Sequence, residues 1–175
     1  MSNDKLINKL HTQYDGQFEK MLTYVTEYAK KSNVPLLRRA YEFSLEAHKK
    51  QRRYSGEPYF DHLINVAQIL AELRMDSTTI AAGLLHDSVE DTGIHLDEVE
   101  ENFGSEIALL VDGVTKIGEL KFESREQRQA ETFRKMLLSM ARDVRVIIIK
   151  FADRLHNMRT LEHVPQKKRS AASRR

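Results

Sequence analysis

Two histidines and two aspartates hold most of the chemical potential of this sequence: the adjacent pair His86-Asp87, His62 upstream and Asp153 downstream. Two imidazoles and two carboxylates make a coordination set suited to a divalent ion such as Mn, Fe, Co or Zn. The imidazoles supply nitrogen lone pairs, and the carboxylates offset the ion's charge. Neighbours on a helix point about 100° apart, yet both His86 and Asp87 can reach an ion lying between their directions. A lone histidine on an apolar helix is more often a hydrogen-bonded core residue, so His62 by itself says little. The aspartates say more. Asp87 follows Ala81-Ala82-Gly83-Leu84-Leu85, and Asp153 follows Ile147-Ile148-Ile149-Lys150-Phe151-Ala152. An ionised carboxylate at the end of an apolar run needs a cation or several donors. Two such acids reached from separate apolar segments point toward a shared ion. His11, His48, His95 and His163 lack this context and read as structural or surface residues.

Glu90 and Asp91 stand one helical turn beyond the pair, with Glu90 above His86 and Asp91 above Asp87. They could orient a water, carry a proton or hold the imidazole ligand in place; ordinary acids at a solvated helix end are the alternative. The chain has no cysteine, which excludes disulfides and thiolate metal sites, leaves nitrogen and oxygen as ligands, and suits a reducing compartment.

The elements that must position these groups read as helices almost throughout. Phe18, Met21, Leu22, Val25, Tyr28 and Ala29 recur at spacings of three and four, one apolar stripe. Pro35 sits where a second helix can begin without losing a hydrogen bond, and Leu36, Leu37, Ala40, Tyr41, Ser44, Ala47 and His48 trace its inner face. Turn-forming and basic residues interrupt at Lys49 to Pro58. A third helix is expected from Tyr59 to Leu73. A fourth, capped by Asp76 or Ser77, carries Ile80 to Leu85 and continues toward Glu90. Short helices are expected over Leu96 to Phe103, stopped by Gly104, and from Ser105 to about Val114. The polar stretch Thr115 to Glu126 reads as a loop, followed by helices over Arg125 to Met140 and Val144 to Arg159. The run Val146-Ile147-Ile148-Ile149 favours a strand locally. Helix is preferred because the pattern continues through Phe151, Ala152, Leu155 and Met158, and burial outweighs the small helix penalty of β-branched residues.

Four ordered segments resemble the N-terminal hydrolase domain of the RelA/SpoT family. They are Ser55-Gly56-Glu57-Pro58-Tyr59-Phe60-Asp61-His62, Leu84-Leu85-His86-Asp87-Ser88-Val89-Glu90-Asp91-Thr92, Val111-Asp112-Gly113-Val114-Thr115-Lys116, and Lys150-Phe151-Ala152-Asp153-Arg154-Leu155-His156-Asn157-Met158-Arg159-Thr160. The resemblance runs from about Leu36 to Pro165. It implies an all-α, HD-type metal-dependent phosphohydrolase fold. It also implies metal ligation by His62, His86, Asp87 and Asp153, with manganese as the usual ion, and a catalytic acidic pair in Glu90 and Asp91. The implied substrate is the alarmone guanosine 3′,5′-bis(diphosphate) or its pentaphosphate relative, hydrolysed to GDP or GTP and pyrophosphate.

A polyphosphate also needs countercharge. Lys49, Lys50, Arg52 and Arg53 precede His62, and Arg53 is favoured because a guanidinium forks onto phosphate or stacks on a base. Asn157 lies one turn after Asp153 and could face the same cavity. The resemblance places both in the nucleotide site, and Thr160 with them more loosely. Arg154, His156 and Arg159 read instead as ties between their helix and its neighbours. Tyr54 stands where some relatives carry a smaller or basic residue, which leaves the base contact open.

A chain of 175 residues, 41% hydrophobic and 31% charged, with three prolines and seven glycines, fits one globular domain. The reading divides it into an N-terminal helical extension over 1–34, the hydrolase domain over 35–165, and a basic tail over 166–175, a helix cut short or a solvated end. The net charge of +2 owes its sign to that tail, which holds Lys167, Lys168, Arg169, Arg174 and Arg175. Such a tail can attract nucleic acid, but no aromatic stacking platform or RNA motif accompanies it. No apolar stretch is long enough to cross a bilayer, and Met1-Ser-Asn-Asp-Lys lacks an export pattern; the expectation is a cytoplasmic protein without a membrane partner. No synthetase domain is expected in this chain. Two rivals stay open: an HD phosphohydrolase for another nucleotide, and a regulatory module that binds an alarmone without turnover.

Overall fold

The apolar stripe near the N-terminus forms α1 (Asn3–Tyr28), whose Tyr14, Phe18, Met21, Leu22 and Val25 are buried. The computed structural model describes residues 3–118 and 143–160. Asn33 caps α2 (Val34–His48) by accepting a hydrogen bond from the Leu36 amide at 3.1 Å, with Pro35 in the first turn. The chain then makes a small hairpin-like turn. Arg52 and Pro58 pair across it, the Arg53 amide bonds to Glu57 O at 2.9 Å, and Gly56 takes a φ of 89° that a side chain would resist. From there α3 (Phe60–Glu72) leads to Asp76, which caps α4 (Ser77–Leu85) through the Thr79 amide at 2.7 Å.

α4 stops at Leu85 rather than continuing toward Glu90. The Gly83 carbonyl, which a longer helix would offer to residue 87, instead receives the ring nitrogen of His86 at 2.8 Å. His86 and Asp87 therefore occupy a turn, and a separate short helix, α5 (Ser88–Asp91), begins after them. Next come α6 (Leu96–Phe103), ended by Gly104 at φ 88°, and α7 (Ser105–Gly118). α7 also corrects the loop expected from Thr115. The Thr115 hydroxyl bonds back to Val111 O at 3.0 Å, and Ile117 is buried, so packing extends the helix to Gly118. The rest of that segment, the helix expected over 125–140, and the tail lie outside the described residues. α8 (Val144–Arg159) opens on an Asp143 cap, and its Val146-Ile149 run is helical, with Val146, Ile147 and Ile149 buried.

The described residues thus form an all-helical fold, with a single isolated bridge and no strand. α4 lies at its centre, packed against α2, α3, α7 and α8. Gly83 allows the approach to α3, because a Cβ there would lie 2.3 Å from the Leu70 Cδ1. α1 closes the other side through an aromatic stack: Phe18 lies over Tyr41 at 4.2 Å, and Phe60 meets Tyr41 edge-on at 5.2 Å. Each leucine or isoleucine buried this way contributes about 1.5–3 kcal/mol. That packing can hold charged groups in fixed positions. Among the described residues, no helix is long and apolar enough to cross a membrane.

Candidate functional site

Four elements deliver the site. α3 presents His62 from its first turn, the turn after α4 presents His86 and Asp87, α5 presents Glu90 and Asp91, and α8 presents Asp153 and Asn157. One ligand atom each from His62, His86 and Asp87 lies within 4.8 Å of the other two. Asp153 joins through His62, whose Nε2 is 3.3 Å from Asp153 Oδ1 and 3.7 Å from Asp87 Oδ2. All four residues are buried. The sequence separation of His62 and Asp153 closes to hydrogen-bond range because α3 packs directly on α8.

The donor bookkeeping shows what this cluster needs. A carbonyl only accepts, so His86 must donate from Nδ1 to Gly83 O. That leaves His86 Nε2 aimed into the cluster, 3.2 Å from Asp87 Oδ1 but without the alignment of a hydrogen bond; it is the buried polar side-chain atom without a partner among the described residues. An orphaned imidazole nitrogen beside two buried carboxylates is a place for a cation. The donor set of nitrogen and carboxylate oxygen suits a divalent metal, so the residues present fit one.

The electrostatics agree. Burial disfavours the His86 imidazolium, but Asp87 beside it outweighs burial and raises the ring to about 9. Burial likewise works against the Asp87 and Asp153 carboxylates. His86 and His62 nevertheless hold Asp87 well below the usual range, and His62, His86 and Lys150 do the same for Asp153. The cluster demands positive charge. A metal ion and a proton on His86 are alternative ways to supply it.

The surrounding contacts hold the cluster in shape. The Tyr59 hydroxyl lies 2.7 Å from Asp87 Oδ2 and 2.7 Å from Asp91 Oδ2, so one phenol spans Asp87 and the acid on α5. Burial and these two acids push the phenol's pKa far up, which keeps its proton in place. His48 is buried beneath the Tyr59 ring, stacked at 5.1 Å, and donates from Nδ1 to Gln51 Oε1 at 2.6 Å. Lys150 pairs with Asp153 Oδ2 at 3.1 Å, and Asn157 donates to Asp153 Oδ1 at 2.6 Å.

Of the basic loop, Arg53 crosses to the site, where its Nη2 donates to Asn157 Oδ1 at 2.7 Å and its Nη1 to His156 Nδ1 at 3.1 Å. Arg52 folds back onto Gly56 O, and Lys49 pairs with Glu46. The Thr160 hydroxyl donates to the carbonyls of His156 and Asn157 at the end of its own helix. Glu90 and Asp91 are exposed on α5, Asp91 being linked to the cluster through Tyr59, and Tyr54 is also exposed. Tyr59, three before His62, was not singled out from sequence, and His156, three after Asp153, is a tie between helices as expected but one that reaches His62 at the centre. Tyr59 caps the helix that carries His62, and His156 lies one turn from Asp153 on α8.

An HD domain family model matches residues 40–175. The chain is 47% identical over 156 residues to the guanosine-3′,5′-bis(diphosphate) 3′-pyrophosphohydrolase of Vibrio cholerae, covering 89% of this chain and 22% of that protein. It is 46% identical over 156 residues to the bifunctional (p)ppGpp synthase/hydrolase SpoT of Escherichia coli, with 89% and 22% covered. It is 45% identical over 162 residues to a GTP pyrophosphokinase of Myxococcus xanthus, with 91% and 21% covered. The chain thus spans about a fifth of the length of these curated relatives. A solved structure of a metazoan ortholog of SpoT that hydrolyses ppGpp superposes with a TM-score of 0.63 at 30% identity, over 79% of this chain and 82% of that one. The chain belongs to the HD domain family and, within it, to the RelA/SpoT proteins.

Proposed function

We propose that the chain hydrolyses guanosine 3′,5′-bis(diphosphate) or its pentaphosphate relative, releasing pyrophosphate from the 3′ oxygen and leaving GDP or GTP. The observation that carries this reading is the buried trio His62, His86 and Asp87, with the orphaned Nε2 of His86 directed into it. His62, His86, Asp87 and Asp153 would hold a divalent ion, with manganese as the proposed occupant. Such an ion supplies Lewis acidity to water and to phosphoryl oxygens.

The rest of the chemistry belongs to the chain's own groups. Glu90 and Asp91, on the short helix that follows His86 and Asp87, would orient a water and take its proton as it attacks the nearer 3′ phosphorus. The bond that breaks joins that phosphorus to the 3′ oxygen, and the leaving oxygen gains a proton. Tyr59 fixes Asp91 relative to Asp87, so the acid keeps its distance from the reacting centre. Arg53 lies across the cluster's edge, anchored on Asn157, and offers a guanidinium to the diphosphate or the base. Asn157, which donates to Asp153, would contact the nucleotide, and Thr160 stands at the same end of α8. The names of the relatives support this substrate: the Vibrio cholerae and Escherichia coli proteins are named for it.

The test is product chromatography after incubating manganese-loaded protein with guanosine tetraphosphate. Pyrophosphate and GDP are expected, and Asp87→Ala should abolish turnover while leaving the helical signal intact. Stoichiometric metal binding with no turnover of either alarmone would favour a regulatory module instead.

A further inference from the structure

Resting on the metal reading above, we propose that His156 is a positioning residue that, together with Arg53, locks His62 into the tautomer able to ligate an ion. Two N–H donors converge on one ring nitrogen of His156. A guanidinium has no acceptor, so the contact of Arg53 Nη1 with His156 Nδ1 at 3.1 Å requires that nitrogen to carry a lone pair. The same His156 Nδ1 lies 2.8 Å from His62 Nδ1. Two bare nitrogens at that distance repel, so the hydrogen between the rings sits on His62 Nδ1 and shares the single lone pair of His156 Nδ1 with Arg53 in a three-centre bond. The other nitrogen of His62, Nε2, is then left with its lone pair, and it is the one facing Asp153 and Asp87.

His86 reaches the same state by a simpler route, through the Gly83 carbonyl. The two imidazoles are therefore both held as Nε2 ligands, one by a backbone acceptor and one by a side-chain relay. The second route has a consequence that the first lacks. The Arg53 guanidinium, which touches no candidate ligand atom, reaches two of the candidate ligands through one intermediary each: His62 through His156, and Asp153 through Asn157. The residue placed at the nucleotide thereby helps set the affinity of the ion. Partners that orient a ligating histidine typically change metal affinity by about 10–100-fold when removed.

Two measurements test this. In wild-type protein without metal, nitrogen-15 NMR of the histidine rings should show the hydrogen of His62 on Nδ1; finding it on Nε2 overturns the proposal, and this needs no variant to fold. Manganese titration calorimetry of the full chain should show His156→Leu weakening the ion by about 10–100-fold, with His156→Asn, which restores an acceptor near the Nδ1 position, recovering most of the loss. Arg53→Ala should weaken the ion in the same direction by a smaller factor. His156→Leu binding manganese like the wild type overturns the relay and leaves the metal reading standing. A wild-type chain that binds no divalent ion overturns both.

Discussion

The phenol oxygen of Tyr59 sits 2.7 Å from Oδ2 of Asp87, and the same oxygen sits 2.7 Å from Oδ2 of Asp91. A phenol has a single hydrogen to give, so the two carboxylates share it, and this one side chain links a candidate metal ligand to a candidate catalytic acid. Tyr59→Phe removes the tie and keeps the ring that stacks on His48. The expected result is a normally folded protein with kcat/KM for guanosine tetraphosphate lowered by about 10–100-fold. Steady-state rates, with circular dichroism as the control, decide it; an unchanged kcat/KM would remove Tyr59 from the site.

The metal-free cluster should make stability depend on pH in both directions. His86 rises from 6.5 unfolded to about 9 folded, because Asp87 outweighs burial. Its contribution is complete below pH 6.5 and is lost as pH climbs through about 9. His156 falls to about 4, first through burial and then through His62 and Arg53. Below pH 6.5 the unfolded chain therefore binds a proton that the folded chain refuses, so stability drops as pH falls toward about 4. The thermal midpoint in chelator should peak near 6.5. Added manganese, which needs His86 Nε2 unprotonated, should raise the midpoint more at pH 8 than at pH 6. A midpoint that climbs steadily from pH 6.5 to 9 in chelator contradicts this.

Arg53 makes its contacts at the edge of the cluster, with Asn157 and His156. Arg53→Lys keeps the charge but cannot form the two-branched contact. Charged hydrogen bonds are worth about 1.5–3 kcal/mol each, so the KM for the alarmone should rise by about tenfold or more, with a smaller change in kcat. A substitution that lowers kcat alone would place Arg53 at the reacting phosphorus instead.

A change far from the chemistry should separate folding from function. Asp76 caps α4 through the Thr79 amide and hydroxyl. Asp76→Ala should cost about 1 kcal/mol, seen as a fall in the thermal midpoint of about 2–4 °C. Turnover at low temperature should be unchanged.

The amino-acid order alone determined the helices that carry the site. The 3.6-residue stripes of α1 and α2, the Asp76 cap, the Gly104 stop and the extent of α8 are local properties, written in residues a few positions apart. The pairing of His86 with Asp87 after one apolar run, and of Asp153 with another, also showed which residues would converge. Burial of a carboxylate has a cost that can be read without coordinates. The break between α4 and α5 was not readable, because it depends on a side chain, His86, taking the carbonyl of Gly83. Nor was the extension of α7 to Gly118, which Ile117 secures by packing. The partners of Tyr59 and His156 were decided only when α3, α5 and α8 came together, since a hydrogen bond between residues 32 or 94 positions apart leaves no periodic trace in sequence. Periodicity and capping act along the chain; proton positions and ligand orientation are set by neighbours that only folding brings within 3 Å.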